Sequence, residues 1–330
     1  MTLQTENILC PDAIKTENTA GQFLTDVLEG LQAPQKKLQS KYFYDPQGDA
    51  LFQQIMAMPE YYLTRCELDI FKNQTASLAA FLKQDIPFDL IELGAGDATK
   101  SSYLLQHLVA NNAEVTYMPI DISGNILSVL YKRLASGIPA LNIIPLEGEY
   151  FDMLQKAERI SKRRKVVMFL GGNIGNMEKD EALSFCKGIR EHLRPGDIML
   201  MGFDLKKHPQ IILDAYSDKQ GITAAFNLNL LSRINRELRA DFDLDHFEHY
   251  QNYDPLSGAC RSYLVSLRQQ QVHIGKVKIS FEQNEVIYME VSQKFSKTDI
   301  SAMAEESGFS ITGSAYDTKK WFTDSVWTAK

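Results

Sequence analysis

Two glycines, Gly94 and Gly96, follow a short apolar run at 88–93 and precede Asp97-Ala98-Thr99-Lys100. The run is bounded by Pro87 and Gly94, and its length suits a buried parallel strand better than a helix. Beyond the glycines, Tyr103, Leu104, Leu105 and Leu108 recur at helical spacing, so the turn joins a strand to a helix. Glycine at 94 permits a tight turn with positive φ, and glycine at 96 lets the backbone approach a ligand. In an open α/β sheet that corner is where a nucleotide-like cofactor binds. An ordinary tight βα turn has the same pattern.

What the turn lacks narrows the chemistry. A dinucleotide fingerprint wants a third glycine at position 99, where this chain has Thr99. No phosphate-gripping G-x-x-x-x-G-K-[ST] run occurs anywhere. Glu92, just before the turn, would repel a phosphate and suits a cationic ligand; S-adenosylmethionine carries a sulfonium and an ammonium and no phosphate. Asp121 lies 25 residues after Gly96 at the end of the next strand. There a carboxylate can accept from both ribose hydroxyls of an adenosine. Glu149 and Tyr150 end the third strand, an acid to meet adenine and an aromatic to stack on it. Tyr42, Tyr44, Tyr61, Tyr62 and Phe43 cluster within 21 residues. They can be core, or turn a hydroxyl into a site, since a buried tyrosine needs a partner.

Composition excludes several classes. Lys and Arg number 35 against 42 Asp and Glu, a net charge of −7, which argues against nucleic acid held by its phosphates. The basic run 162–165 reads as a solvated loop. No apolar run reaches the roughly 18 residues of a membrane span, and the N-terminus lacks a signal peptide's apolar core. Cys10, Cys66, Cys186 and Cys260 are scattered with no C-x-x-C pair, so neither disulfides nor zinc are expected and a reducing cytoplasm fits. His246 and His249 form H-x-x-H, read as an exposed charged face on a short helix. No metal site is expected.

The elements that must position these residues alternate. Residues 16–32 read as an amphipathic helix. The Thr64-Arg65-Cys66-Glu67 pattern predicts a capping box opening a helix to about 83. Strands are expected at 88–93, 116–122, 142–147, 166–170 and 198–203, with helices between, which makes a doubly wound, mostly parallel sheet. Helix 297–307 and strands 309–315 and 326–329 complete it. Residues 206–295 break the rhythm: a helical portion, 209–239, precedes strands at 262–267, 272–279 and 285–291 of antiparallel character. The expectation is an α/β domain of 65–205 plus 296–330, and an α+β domain of 1–64 plus 206–295.

The chain resembles the histidine-specific Nα-methyltransferases of ergothioneine biosynthesis, class I S-adenosylmethionine enzymes with an extra α+β domain. The resemblance rests on Tyr42-Phe43-Tyr44-Asp45, Pro59-Glu60-Tyr61-Tyr62-x-Thr64-Arg65, Glu92-Leu93-Gly94-x-Gly96 with Lys100, and Phe169-Leu170-Gly171-Gly172-x-Ile174-Gly175-Asn176. It continues in Thr223-Ala224-x-Phe226-Asn227-x-Asn229, Ile234-Asn235-Arg236-Glu237-Leu238 and Glu290-Val291-Ser292-x-Lys294-Phe295. The blocks run in order from about residue 20 to the end.

The resemblance implies cofactor contacts at Tyr44, Gly94, Gly96, Lys100, Asp121, Glu149 and Tyr150, with Lys100 helping to hold the methionine carboxylate. It implies Tyr61, Gly171, Asn176 and Tyr216 around the α-amino and α-carboxylate groups of an amino acid, and Glu290 and Ser292 around an imidazole. Glu149 stands where the family usually has Asp, and Asn173 where Thr is frequent. Ser262 aligns near the position of a family Met that packs on the imidazole, and the smaller residue leaves room or a water. Relatives methylate other amines, including tryptophan derivatives. The implied reaction is in-line attack of a neutral amine on the sulfonium methyl, with Tyr44 and Asn176 orienting the lone pair and water taking the proton. Asn176 can equally be a helix N-cap. Two rivals stand beside this reading: an NAD(P)-dependent oxidoreductase, disfavoured by Thr99, and a non-catalytic binding protein on the same fold.

Overall fold

The structure, a computed structural model, describes residues 18–82 and 85–330. Four helices come first: α1 (Asn18–Gln32), α2 (Pro46–Ala57), α3 (Leu63–Asn73) and α4 (Thr75–Phe81). Phe23, Val27 and Leu31 bury one stripe of α1, the face its spacing predicts; positions 16 and 17 of the expected helix lie outside the described residues. The Asp45 carboxylate caps α2 by accepting from the Gly48 N–H at 2.7 Å, ahead of Pro46 at the first helical position. The expected capping box at 64–67 does not form. Helix α3 starts one residue earlier without a side-chain cap, and Glu67 turns into the interior instead. The single helix expected to run to 83 is two, broken at Gln74, whose φ of −126° is not helical; position 83 lies outside the described residues.

The main sheet follows: β1 (Phe88–Leu93), α5 (Ser101–Ala110), β2 (Val115–Asp121), α6 (Gly124–Gly137), β3 (Asn142–Ile143), β4 (Leu146–Glu147), α7 (Tyr150–Ile160), β5 (Arg164–Phe169), α8 (Lys179–Glu191) and β6 (Ile198–Asp204). Every residue of β1 and β6 is buried, as near-continuous apolar strands covered on both faces require. The strand expected at 142–147 is two short pieces, both pairing with β2. The basic run 162–165 is not all solvated loop. Lys165 lies in β5, buried, with its ammonium 2.6 Å from Asp89.

Beyond β6 come α9 (Pro209–Tyr216), α10 (Ile222–Leu238), β7 (Phe247–Tyr253), β8 (Ala259–Ser266), β9 (Gln270–Ile274), β10 (Val277–Phe281) and β11 (Val286–Gln293). The strand expected at 272–279 is the hairpin β9–β10, turned at Gly275, whose φ is +58°. Strands β11, β8 and β7 form a separate antiparallel sheet. The chain closes with α11 (Lys297–Glu306), β12 (Phe309–Tyr316) and β13 (Phe322–Ala329). These last strands return to the main sheet, whose order is β12-β13-β6-β5-β1-β2-β3, parallel except at the β12 and β13 edge. The expected doubly wound, mostly parallel sheet is therefore present.

Three apolar clusters hold the molecule. Two cover the faces of the main sheet, and the third joins α1, α2 and α10 to the antiparallel sheet. Ile212, Ala215 and Tyr216 of α9 pack with the first cluster, so this helix bridges the main sheet and β7 of the antiparallel sheet. Consecutive parallel strands leave in opposite directions from β1, to β2 on one side and β5 on the other. The crevice at that reversal, at the carboxyl ends of the strands, is where such sheets bind ligands.

Candidate active site

At the end of β1 the chain turns through Gly94 (φ +66°) and Gly96 (φ +53°), both in the region that favours glycine. A Cβ on Gly94 would stand 2.9 Å from the Tyr150 hydroxyl, so the absent side chain is what lets α7 begin beside the turn. Thr99 closes the loop on Asp97, its backbone N–H donating at 2.9 Å and its hydroxyl at 2.6 Å. A third glycine has no role there, because α5 starts only at Ser101. Asp121 accepts from the Gly96 N–H at 3.3 Å and the Ser123 N–H at 3.0 Å. Glu149 is exposed at the N-terminus of α7, with no side-chain cap bond. Burial, with Asp121 and Glu149 adding to it, pushes the Tyr150 phenol up to about 12. Gly94, Gly96, Asp121, Glu149 and Tyr150 thus share one edge of the sheet.

Glu92 is not part of that mouth. It is buried and accepts from Tyr117 Oη at 2.5 Å. Burial raises it to about 7, against the hydrogen bonds from Tyr117 and Ser101. Lys100 pairs with Glu67, whose other oxygen accepts from the Gly171 N–H at 2.7 Å. Glu67 therefore ties the expected cofactor lysine to the expected substrate loop. Asp324 of β13 is fully buried nearby with neither oxygen hydrogen-bonded, and burial, then the charge of Glu67, pushes it well above the carboxylate range. Sequence reasoning missed both acids. Glu67 sits on a helix stripe otherwise apolar, a signal that could have found it.

The second half of the site hangs on β11. Its register against β8 shifts between Tyr288 and Glu290: Ile287 faces Leu264, and Glu290 faces Ser262. Directly paired residues share a face, and Leu264 and Ser262 lie two apart. The bulge at Met289 therefore turns Glu290 and Ser292 to the same side as Ile287, inward, while Tyr288 turns outward to Tyr263. Burial raises Glu290 to about 7, opposed by the Lys294 ammonium. Glu290 has no hydrogen-bond partner among the described residues. Burial is the main reason the phenols of Tyr44, Tyr61 and Tyr216 titrate above their ordinary range, and the charge of Glu290 adds to it in all three. Tyr61 meets Tyr216 edge-on, ring centroids 6.0 Å apart, and Tyr44 meets Phe226 at 5.8 Å.

Asn176 ends a short 3-10 turn, Asn173–Asn176, and is exposed. It is not the cap of α8; that is Glu178, in a capping box with Glu181. A Cβ on Gly175 would stand 2.8 Å from the Gln293 carbonyl, so the glycine lets this loop lie against β11 beside Ser292. The tyrosine hydroxyl of Tyr216 is 2.7 Å from Ser292 Oγ. Ser262 is not next to open space. It donates to Asn227 Oδ1 at 2.9 Å and accepts from His249 Nε2 at 2.8 Å. The residues around His249 are a strand, β7, not the expected helix, and burial lowers this imidazole to about 4. Neutral His249 thus occupies the room that a serine at 262 was expected to leave.

The model of a family described as histidine-specific methyltransferase, SAM-dependent, matches residues 23–329. The chain belongs to that family. Its relatives include a histidine N-alpha-methyltransferase from Mycolicibacterium smegmatis, 33% identical over 98% of this chain and 96% of that one. Another is ergothioneine biosynthesis protein 1 of Schizosaccharomyces pombe, 28% identical over 83% of this chain and 36% of that one. An L-tryptophan methyltransferase from Psilocybe serbica is 26% identical over 89% of each. As a member of the SAM-dependent family, the protein is a methyltransferase built on S-adenosylmethionine. The crevice of β1 and β2 fits that group: a glycine cradle that a Cβ would fill, and a strand-end carboxylate held only by two backbone N–H groups.

Proposed function

We propose that this protein methylates the α-amino nitrogen of free L-histidine, stepwise up to the trimethylated betaine, hercynine. The observation that carries the reading is the pair on β11: the unpartnered Glu290 carboxylate and the Ser292 hydroxyl, turned by the bulge to one side, where Tyr216 meets Ser292. A neutral imidazole has one donor and one acceptor, which a carboxylate and a hydroxyl can meet. The His249–Ser262–Asn227 chain supports histidine over a larger ring, because the space beside Ser262 is filled.

S-adenosylmethionine supplies an electrophilic methyl on its sulfonium. Asp121 would accept from the ribose hydroxyls, Glu149 would meet the adenine, Tyr150 would stack on it, and Gly94 and Gly96 would admit the chain of the cofactor. Lys100 would give one of its donors to the methionine carboxylate while Glu67 keeps another. Tyr61, Gly171, Asn176 and Tyr216 hold the amino and carboxylate groups of the substrate. Tyr44 and Asn176 aim the lone pair of the deprotonated nitrogen, and positioning supplies most of the rate. Mono- and dimethylamines keep a lone pair once deprotonated; the trimethylammonium has none and leaves. The described residues of 65–205 with 296–330 would form the cofactor domain, and those of 1–64 with 206–295 the domain that closes over it.

Incubation with histidine and labelled cofactor, followed by mass spectrometry, tests the reading. One to three added methyls are expected on histidine. Turnover of another amino acid with none on histidine overturns it.

A further inference from the structure

Among the described residues, the mechanism above leaves one fully buried cation without a task. Lys294, just past β11, has no exposed surface. Its ammonium meets three acceptors: Asp204 Oδ2 at 2.9 Å, Tyr216 Oη at 2.7 Å and Ser292 Oγ at 2.7 Å. Asp204, at the end of β6, also holds Lys207 and accepts from Tyr62 Oη at 2.8 Å. This ion pair joins the main sheet to the strand that carries Glu290 and Ser292. Resting on the histidine reading, we propose that Lys294 is a positioning residue that makes Ser292 a hydrogen-bond donor and so selects the neutral imidazole tautomer whose bare nitrogen faces Ser292.

An ammonium has three donors and no acceptor, and here each donor has one partner. Tyr216 and Ser292 must therefore both accept from Lys294. The remaining 2.7 Å contact between their oxygens takes one proton and has two possible directions. If Ser292 gave its proton to Tyr216, only a lone pair would be left toward the ring. The ring would then face two acceptors, Ser292 and Glu290, with a single N–H. An imidazolium could serve both, but it would set a second cation beside Lys294 in a dry site. With Tyr216 donating to Ser292, both lone pairs of Ser292 are filled and its O–H points outward. The ring N–H then goes to Glu290 and the bare nitrogen accepts from Ser292. Every donor and acceptor is matched in this arrangement alone.

The test compares histidine with the two pyrrolylalanines, each of which keeps one ring N–H and replaces the other nitrogen by CH. All carry the same amino and carboxylate groups, so the ratio of kcat/KM isolates the ring. The wild-type enzyme is expected to favour histidine over the better pyrrolylalanine by about 100-fold or more, because the Ser292 O–H is stranded against CH. In Lys294→Met the ratio should fall below about 10-fold, since one lone pair of Ser292 is then open and its hydroxyl can rotate the proton away from the ring. Tyr216→Phe, which leaves the Asp204–Lys294 pair in place, should narrow the ratio as well and serves if Lys294→Met does not fold. Calorimetry with S-adenosylhomocysteine identifies the folded variants. A ratio unchanged in a folded variant, with histidine and analogue falling together, overturns the inference and gives Lys294 a structural role only. Absence of methyl transfer to histidine by the wild-type enzyme sinks the underlying substrate reading, a separate result.

Discussion

The two halves of the site are made by different means. The proposed cofactor half uses backbone turns and strand ends: Gly94 and Gly96 follow β1, Asp121 ends β2 and Glu149 follows β4. The ring half uses side chains joined from far apart in the chain, Tyr216 to Ser292 and Asp204 to Lys294, around a β-bulge. The first half is set by where strands stop, and the second by how buried polar groups match. A buried network is costly when one member is lost, whereas a strand-end contact can be removed with little harm to the fold. Substitutions should therefore separate the two halves by which property they change.

The largest effect is expected at Glu290. Glu290→Ala should lower kcat/KM for histidine by on the order of 10³-fold, roughly 4 kcal/mol, because a charged partner of the ring is lost in a buried pocket. Calorimetric affinity for S-adenosylhomocysteine should stay within a few-fold of wild type. An equal fall in both would erase the distinction between the halves. Asp121→Ala is the converse. It should weaken cofactor affinity by about 2–3 kcal/mol, the loss of hydrogen bonds to a charged group, with the melting temperature little changed. Cofactor affinity equal to wild type would remove Asp121 from the ribose.

The same division explains what could be read in the sequence. The strand-turn-helix at Gly94 is local, and so were Asp121 and Glu149, because each follows an apolar strand at a countable distance. The bulge at Met289 is not local. Strict alternation puts Glu290 and Ser292 on the face of Tyr288, and only the pairing with β8 shows them on the other side. Glu67 is not legible because its partners, Lys100 and the Gly171 N–H, come from other elements, and Asp324 because the charge that acts on it is that of Glu67. H-x-x-H flanked by acids has no apolar period and so reads as a surface helix; the neighbour that decides the burial of His249 is Ser262 on the adjacent strand. Lys294 carried a signal that went unused: a lysine two residues after Ser292, at the end of a strand with an apolar face.

A smaller effect is expected where polar groups match away from the reacting atoms. Ser262→Ala leaves the His249 Nε2–H and Asn227 Oδ1 without their shared partner in a buried site. It should cost about 1–2 kcal/mol of stability, read as a lower denaturant midpoint with an unchanged slope. Discrimination between histidine and tryptophan should loosen at the same time, since His249 is then free to shift. Loss of stability with substrate preference intact would make the chain a packing feature and detach it from the ring half.

The last prediction sets two carboxylates against each other. Glu92 in the cofactor half and Glu290 in the ring half are both held at about 7, mainly by burial. Glu92 has a tyrosine donor at 2.5 Å, and Glu290 has none among the described residues. A carboxyl raised above its unfolded value stabilises the fold fully below that value and ceases to do so as pH climbs through the folded one. For Glu290 the window runs from 4.5, its ordinary value, to about 7. Glu290→Gln removes the titration and leaves the shape. The variant should match wild type near pH 5 and be more stable at pH 8 by about 1 kcal/mol once solvent screening is allowed for. Glu92 titrates alike in both proteins and cancels from the difference. Glu92→Gln, by contrast, keeps an acceptor for Tyr117 only in its carbonyl and should give no net gain at pH 8. Thermal melts of the three proteins between pH 5 and 8 decide it: a Glu290→Gln protein less stable than wild type at pH 8 would mean that Lys294 already compensates the charge, and that the ring half is matched before any substrate enters.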